Sequence, residues 1–251
     1  MAKITIDVDY IKTSLAQIGY QISDCIEREN NGKLWQIKFS NSGAIISIYD
    51  SNTIKNTVVN GKLDDIEKSF LKNLVDGLKC KTQTIDPLNQ TIVDLISSKK
   101  EDFYYDFKRE WYHPEKREDL LHDILCMSNN LENRDAYLII GVDDNYDVIG
   151  VCEEIKSHNV FDFIKQQKFA GNHIPEIELK KLHFMYKTIY VVVCKSSKNV
   201  PFYLSERCHN VCANQIYTRV GDTNTPKNTS ANYAHVEHLW QIHFERKAKQ
   251  D

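Results

Sequence analysis

The sequence predicts an α+β chain in two parts. A small N-terminal β-α-β-β-β-α unit occupies residues 1–80, residues 81–94 form a linker and leading helix, and a mixed-sheet domain covers residues 95–247. Three observations carry this prediction. Apolar runs of strand length are interspersed with amphipathic stretches of helical period, the signature of packed mixed layers. Lys79–Pro87 reads as a linker between two such sets. The chain has 251 residues and is 41% hydrophobic, enough for one large core or two modest ones.

Residues 3–8 alternate as a short strand does, and Asp9 caps a helix with Ile11, Leu15 and Ile18 on one face. Strands follow at Leu34–Phe39, Ala44–Tyr49 and Thr57–Val59, the last stopping at the Asn60-Gly61 turn. Leu63–Leu78 is an amphipathic helix, because Ile66, Phe70, Leu74 and Leu78 recur at helical spacing. In the second part, a helix at Leu88–Ser98 leads to an acidic strand at Asp102–Lys108, and His113-Pro114 breaks the chain before a helix at Arg117–Met127. Strands Ala136–Val142 and Asp147–Val151 flank an Asn-Tyr turn. A helix at Phe161–Lys168 precedes a hairpin of Ile177–Leu182 and Thr188–Cys194, turning near Met185–Lys187. Ile216–Val220 is the last strand and Ala231–Phe244 the last helix.

Composition limits the partners. No apolar stretch approaches the ~20 residues that cross a bilayer, and no apolar core follows the first lysine as in a secretory signal. Seven scattered cysteines, an odd number, point to reduced thiols and a cytoplasmic protein. Residues 1–90 hold 11 basic and 11 acidic side chains; the rest hold 21 and 24, so the net charge of −3 falls there. Nucleic acid, if bound, is held by a local patch rather than by the overall field.

The candidate chemistry lies in two acidic segments. Glu101-Asp-Phe-Tyr-Tyr-Asp106-Phe-Lys108 is an acidic-basic cluster, and Tyr137–Asp144 is an apolar run ending in Asp143 and Asp144. Hard carboxylate oxygens suit magnesium or manganese, which activate water and polarise a phosphoryl group. Alternation places Asp106 and Lys108 on the same side, whereas Glu101 has the opposite parity and needs a bulge or a strand start to join them. Charges at strand ends are more often simply solvated, and paired acids after a strand are common in turns. Lys108, Arg109, Lys116 and Arg117, interleaved with Trp111, Tyr112 and His113, combine phosphate-tracking cations with stacking rings. Lys187 and Arg219 are further candidate contacts for a nucleic-acid backbone. Cys208-His209-x-x-Cys212 has no second ligand pair and reads as a chance cluster. His235, His238 and His243 read as surface or packing residues.

Taken in order, these motifs resemble the AlbA-type domain of the Schlafen family over roughly residues 95–245. The resemblance rests on Glu101-x4-Asp106-Phe-Lys108, Ser128-Asn-Asn130, Leu138-Ile-Ile-Gly-Val-Asp-Asp144, Val148-Ile-Gly-Val151, Pro201-Phe-Tyr203 and Ile216-Tyr-Thr-Arg-Val-Gly221. The resemblance implies a metal-dependent endoribonuclease cleaving structured RNA such as tRNA, with a role in stress or anti-phage defence. By position it implies Glu101, Asp106 and Asp144 as catalytic and metal-ligating acids, Asp143 as their neighbour, Lys108 on the phosphate, and Mg2+ or Mn2+ as the metal. Two features depart from the family pattern. The second acid is Asp106 where glutamate is usual, and Asn129–Asp135 replaces a glycine-containing turn. Residues 1–80 resemble the TATA-binding-protein-like half-domain attached to some bacterial ribonucleases, a sheet for nucleic acid, a partner or a second copy of the chain. The other readings are a non-catalytic nucleic-acid-binding or regulatory module, and a toxin-like component acting with a protein partner.

Overall fold

The computed structural model describes residues 6–29, 32–51 and 56–248. The chain forms two compact units. One is drawn from the chain up to Ser97 together with His183–Lys187, the other from Ser98–Leu182 and Thr188 onward. Helices and sheets build both, so the fold is α+β as the sequence predicts. The division falls after Ser97, so the helix expected to lead the second part belongs to the first unit.

In the first unit, α1 (Val8–Gln17) is capped by Asp7, whose carboxylate accepts from the Tyr10 N–H at 3.0 Å. Asp9, the expected cap, lies in the first turn. Most of the strand expected at 3–8 falls outside the described residues, and Val8 is already helical. A four-stranded antiparallel sheet follows in the order β1 (Ile22–Glu29), β2 (Gly32–Phe39), β3 (Ile45–Ser51) and β4 (Thr57–Asn60). β1 escapes sequence reading because its Ser-Asp-Cys-Ile-Glu-Arg-Glu run, at the sheet edge, shows no apolar alternation. Asp64 caps α2 (Asp65–Lys79). Its buried face is Leu71, Leu74, Val75 and Leu78 with Glu67, and Ile66, expected on that face, is instead exposed. These elements enclose a core of Ile11, Leu15, Ile37, Ile46 and Ile48, and α3 (Leu88–Ser97) lies against α1.

The second unit is built on a mixed sheet in the order β5-β6-β8-β7, with β5 (Tyr105–Lys108), β6 (Ala136–Ile140), β7 (Ile177–Phe184) and β8 (Lys187–Cys194). β5 and β6 are parallel, pairing Asp106 with Leu138 and Lys108 with Ile140, and β6 and β8 are antiparallel. A parallel pair needs a crossover, and α4 (Arg117–Ser128) supplies it. α4 is buried continuously from Leu120 to Ser128, packed in a core with Leu138, Ile140, Val192, Tyr217 and Leu239. The helix expected at 161–168 is α5 (Ser157–Gln166), and the last helix is α6 (Tyr233–Ala248).

Besides β6, which stops at Ile140 short of the expected Val142, three expected strands are shorter than predicted. Asp147–Val151 contributes one bridge, between Val148 and Val142. Of Ile216–Val220, only β9 (Arg219–Val220) pairs, with β10 (Thr223–Asn224). The acidic strand begins at Tyr105, because Asp102 and Tyr105 exchange backbone hydrogen bonds and close a turn. All seven cysteines are free thiols.

Candidate active site

Asp106 and Lys108 lie two residues apart on β5, so the pleat sends both side chains to one side of the sheet. The Lys108 ammonium stands 2.6 Å from Asp106 Oδ2. That oxygen is buried without a hydrogen bond of good geometry, and the lysine compensates it by charge. Glu101 joins them because the strand starts late. The turn closed by Asp102 and Tyr105 folds Glu101 back, and its Oε1 accepts the Phe107 N–H at 3.0 Å.

Arg219 on β9 locks the two acids together. Its Nη2 donates to Glu101 Oε2 at 2.9 Å and to Asp106 Oδ1 at 3.0 Å. Nη1 donates to Asn224 Oδ1 and Nε to the Asp102 carbonyl, each at 3.0 Å. The planar, always-charged fork meets four partners, which the point charge of a lysine would not reproduce. Arg219 is 2% exposed and spends its donors inside the protein. It is therefore an internal clamp, not the nucleic-acid contact expected from the sequence.

Asp123 on α4 is a third carboxylate in this cluster, and the sequence reading did not single it out. Its Oδ2 accepts from the Tyr112 hydroxyl at 2.6 Å and lies 3.6 Å from Lys108 Nζ; its Oδ1 accepts from Asn224 at 2.8 Å. The available signal was the polar pair His122-Asp123 inside the apolar run Leu120–Leu125, since a charge on a buried helix demands partners. Burial pushes the Glu101 carboxyl up, and neighbouring Asp106 adds to the rise. Burial also raises Asp123, with Lys108 opposing. Burial alone would lower Lys108, but Asp123 and Asp106 outweigh it and hold the ammonium protonated. Burial, then Asp123, lifts Tyr112 well above its ordinary value.

The expected third acid lies elsewhere. β6 ends at Ile140, and Gly141 turns the chain at φ +106°, where a Cβ would meet the Gly150 backbone at 3.2 Å. Asp143 Oδ1 accepts the Asn145 and Asp147 N–H groups at 3.0 Å each, so it serves the turn; its other oxygen faces Arg109 at 3.8 Å. Asp144 is exposed. Among the described residues, no three His, Cys, Asp or Glu side chains form a group able to hold a metal. The expected trio is thus divided. Glu101 and Asp106 converge, whereas Asp143 and Asp144 belong to the loop after β6. Of the basic candidates, Arg109, Lys116 and Arg117 are exposed, and Lys187 belongs to the first unit.

The sequence model of the Schlafen, AlbA_2 family matches residues 101–228, a span that opens on Glu101 and includes Arg219. The chain belongs to the Schlafen AlbA_2 family. Membership associates it with nucleic-acid-related activity. Comparison with curated proteins and with solved structures returned no match. Every residue of the Glu101–Asp106–Lys108–Asp123–Arg219 cluster lies inside the Schlafen span. No helix among the described residues is long and apolar enough to cross a membrane.

Proposed function

We propose that this Schlafen AlbA_2 chain cleaves phosphodiester bonds in structured RNA such as tRNA, with Glu101, Asp106 and Lys108 as the working groups and Mg2+ or Mn2+ as the metal. One observation supports this reading above the others: carboxylate oxygens from a turn and a strand come within 3.0 Å of the same Arg219 nitrogen, beside a protonated lysine. Magnesium is commonly held by one or two carboxylates, with substrate phosphate and water completing its shell. In this proposal Glu101 and Asp106 would hold such an ion through carboxylate lone pairs that the Phe107 N–H, Arg219 and Lys108 leave free. Such a metal lowers the pKa of an attacking water and polarises the phosphoryl oxygen.

The chain's own groups have separate roles in this proposal. Arg219 orients both carboxylates. Glu101, the more accessible of the two acids, would meet the substrate, while Asp106 is buried against Arg219. Lys108 offsets charge that builds on the phosphate in the transition state, a contribution usually worth about 10²–10³ in rate. The test is incubation of total tRNA with Mn2+, with Mg2+ and with chelator. Cleavage should require the ion and should vanish in Glu101→Gln and Asp106→Asn, with Lys108→Ala slowed about 10²–10³-fold. Undiminished cleavage by the two acid variants would assign the activity to another site.

A second reading is a module that binds nucleic acid without cutting it. It is favoured by the pairing of Glu101 and Asp106 with Arg219 and Lys108, and by the exposed position of Asp144. It expects RNA binding with no product under any ion condition.

A further inference from the structure

A cavity of about 510 Å³ opens in the second unit between the segment after β5, the start of α4, α5 and the loop 149–156. Its floor is apolar: Leu120 and Val160 are buried, and Trp111 and Phe163 are half-buried. Its rim carries both signs, with Arg109, Arg117 and Lys156 among Glu110, Glu153 and Glu154. Trp111 meets Tyr112 edge to face at 5.7 Å, and the Arg117 guanidinium lies 5.9 Å from the centre of the Phe163 ring. Tyr112 lines the cavity and also bonds Asp123 of the acidic cluster through its hydroxyl. The cavity and the cluster therefore share a wall.

We propose that this cavity receives one unstacked nucleobase, so that the chain's RNA substrate presents a single-stranded or splayed-out nucleotide beside the cleavage site. This rests on the reading that the chain acts on RNA. The volume lies in the ordinary range for small-ligand sites, which are mainly apolar with a few polar groups that set orientation. A rim of balanced charge does not select a naked phosphate. It suits a planar, neutral group with donors and acceptors on its edge. Sequence-tolerant capture of single strands works by stacking bases on aromatic side chains, and recognition of RNA generally targets loops and bulges whose bases can be turned out. The flanking phosphate has cations at hand. Arg109 is held only loosely, 3.8 Å from Asp143, and Arg117 stands exposed at the start of α4.

The experiment measures binding by fluorescence anisotropy, with chelator present. The probes are a short single-stranded RNA, an abasic sugar-phosphate chain of the same length, and the four free nucleoside monophosphates. The intact chain should bind the RNA roughly tenfold or more tightly than the abasic chain. Trp111→Ala should remove that preference and Trp111→Phe should restore it. Arg117→Glu, a change at an exposed position, should weaken binding without altering the circular dichroism melting curve. Equal affinity for RNA and abasic chain, or RNA binding untouched by both Trp111→Ala and Arg117→Glu, overturns the base pocket while leaving RNA cleavage standing. Binding of a free monophosphate that is lost in Trp111→Ala, with no RNA binding, upholds the pocket, identifies its ligand as a free nucleotide and removes the RNA reading.

Discussion

The acidic cluster sets three carboxylates, Glu101, Asp106 and Asp123, against two cations, Lys108 and Arg219. Breaking a buried pair of this kind by removing one partner typically costs about 3–5 kcal/mol, so the cluster helps hold the fold together. It also makes stability depend on pH. The Glu101 carboxyl is raised above 4.5 by burial and by Asp106, so the folded chain binds that proton more tightly than the unfolded chain. The resulting stabilisation is complete below the unfolded value and disappears as pH rises through the folded one. Glu101→Gln keeps an acceptor for the Phe107 N–H and removes the titration. Urea unfolding should then show a flatter stability profile from pH 4.5 towards neutrality in the variant than in the parent. Parallel profiles would remove Glu101 from the account. At this scale the sequence was legible where a motif fixed spacing, at Glu101, Asp106 and Lys108. It was illegible where function depends on which way a side chain faces. Arg219 reads as a surface cation until burial is known, and Asp123 sits on a helix whose spacing marks no face as special.

The elements show where pattern reading succeeds and where tertiary context overrides it. β6 and β8 were legible because their apolar runs are central to a sheet. β1 was not, since an edge strand has no need of apolar alternation. The acidic strand lost its first residues to the Asp102–Tyr105 turn, and that loss brings Glu101 into place. The Ser128-Asn129-Asn130 segment, visible as a motif, has a physical task at the end of α4. Asn129 is wholly buried. Its amide donates to the Phe202 carbonyl at 2.7 Å and the Tyr217 carbonyl at 2.9 Å, and its Oδ1 accepts the Phe202 N–H at 2.7 Å. The glycine-containing turn absent from the next residues is replaced by Asn133 at φ +47°, a conformation asparagine tolerates. Asn129→Ala strands three buried backbone groups at about 1–3 kcal/mol each before relaxation. Chemical denaturation should show a net loss of about 3 kcal/mol or more. A loss under about 1 kcal/mol would mean that water replaces the side chain.

For the whole molecule, a net charge of −3 gives no long-range attraction for a polyanion, so any hold on RNA is local. At the cavity rim the exposed cations Arg109, Arg117 and Lys156 are offset by Glu110, Glu153 and Glu154. Arg219 is unavailable, being spent inside the protein on Glu101 and Asp106. An interface of this kind neutralises few phosphates and gains much of its affinity from stacking, which salt does not screen. Each neutralised phosphate on a single strand contributes about −0.7 to the slope of log K against log salt. Two or three contacts therefore set an expected slope of about −2 or shallower. Titrating a short single-stranded RNA across a series of KCl concentrations measures it directly. A slope near about −6 would require eight or more phosphate contacts, far beyond what the rim offers. It would relocate RNA recognition to a broad basic surface and away from the cavity beside Asp123.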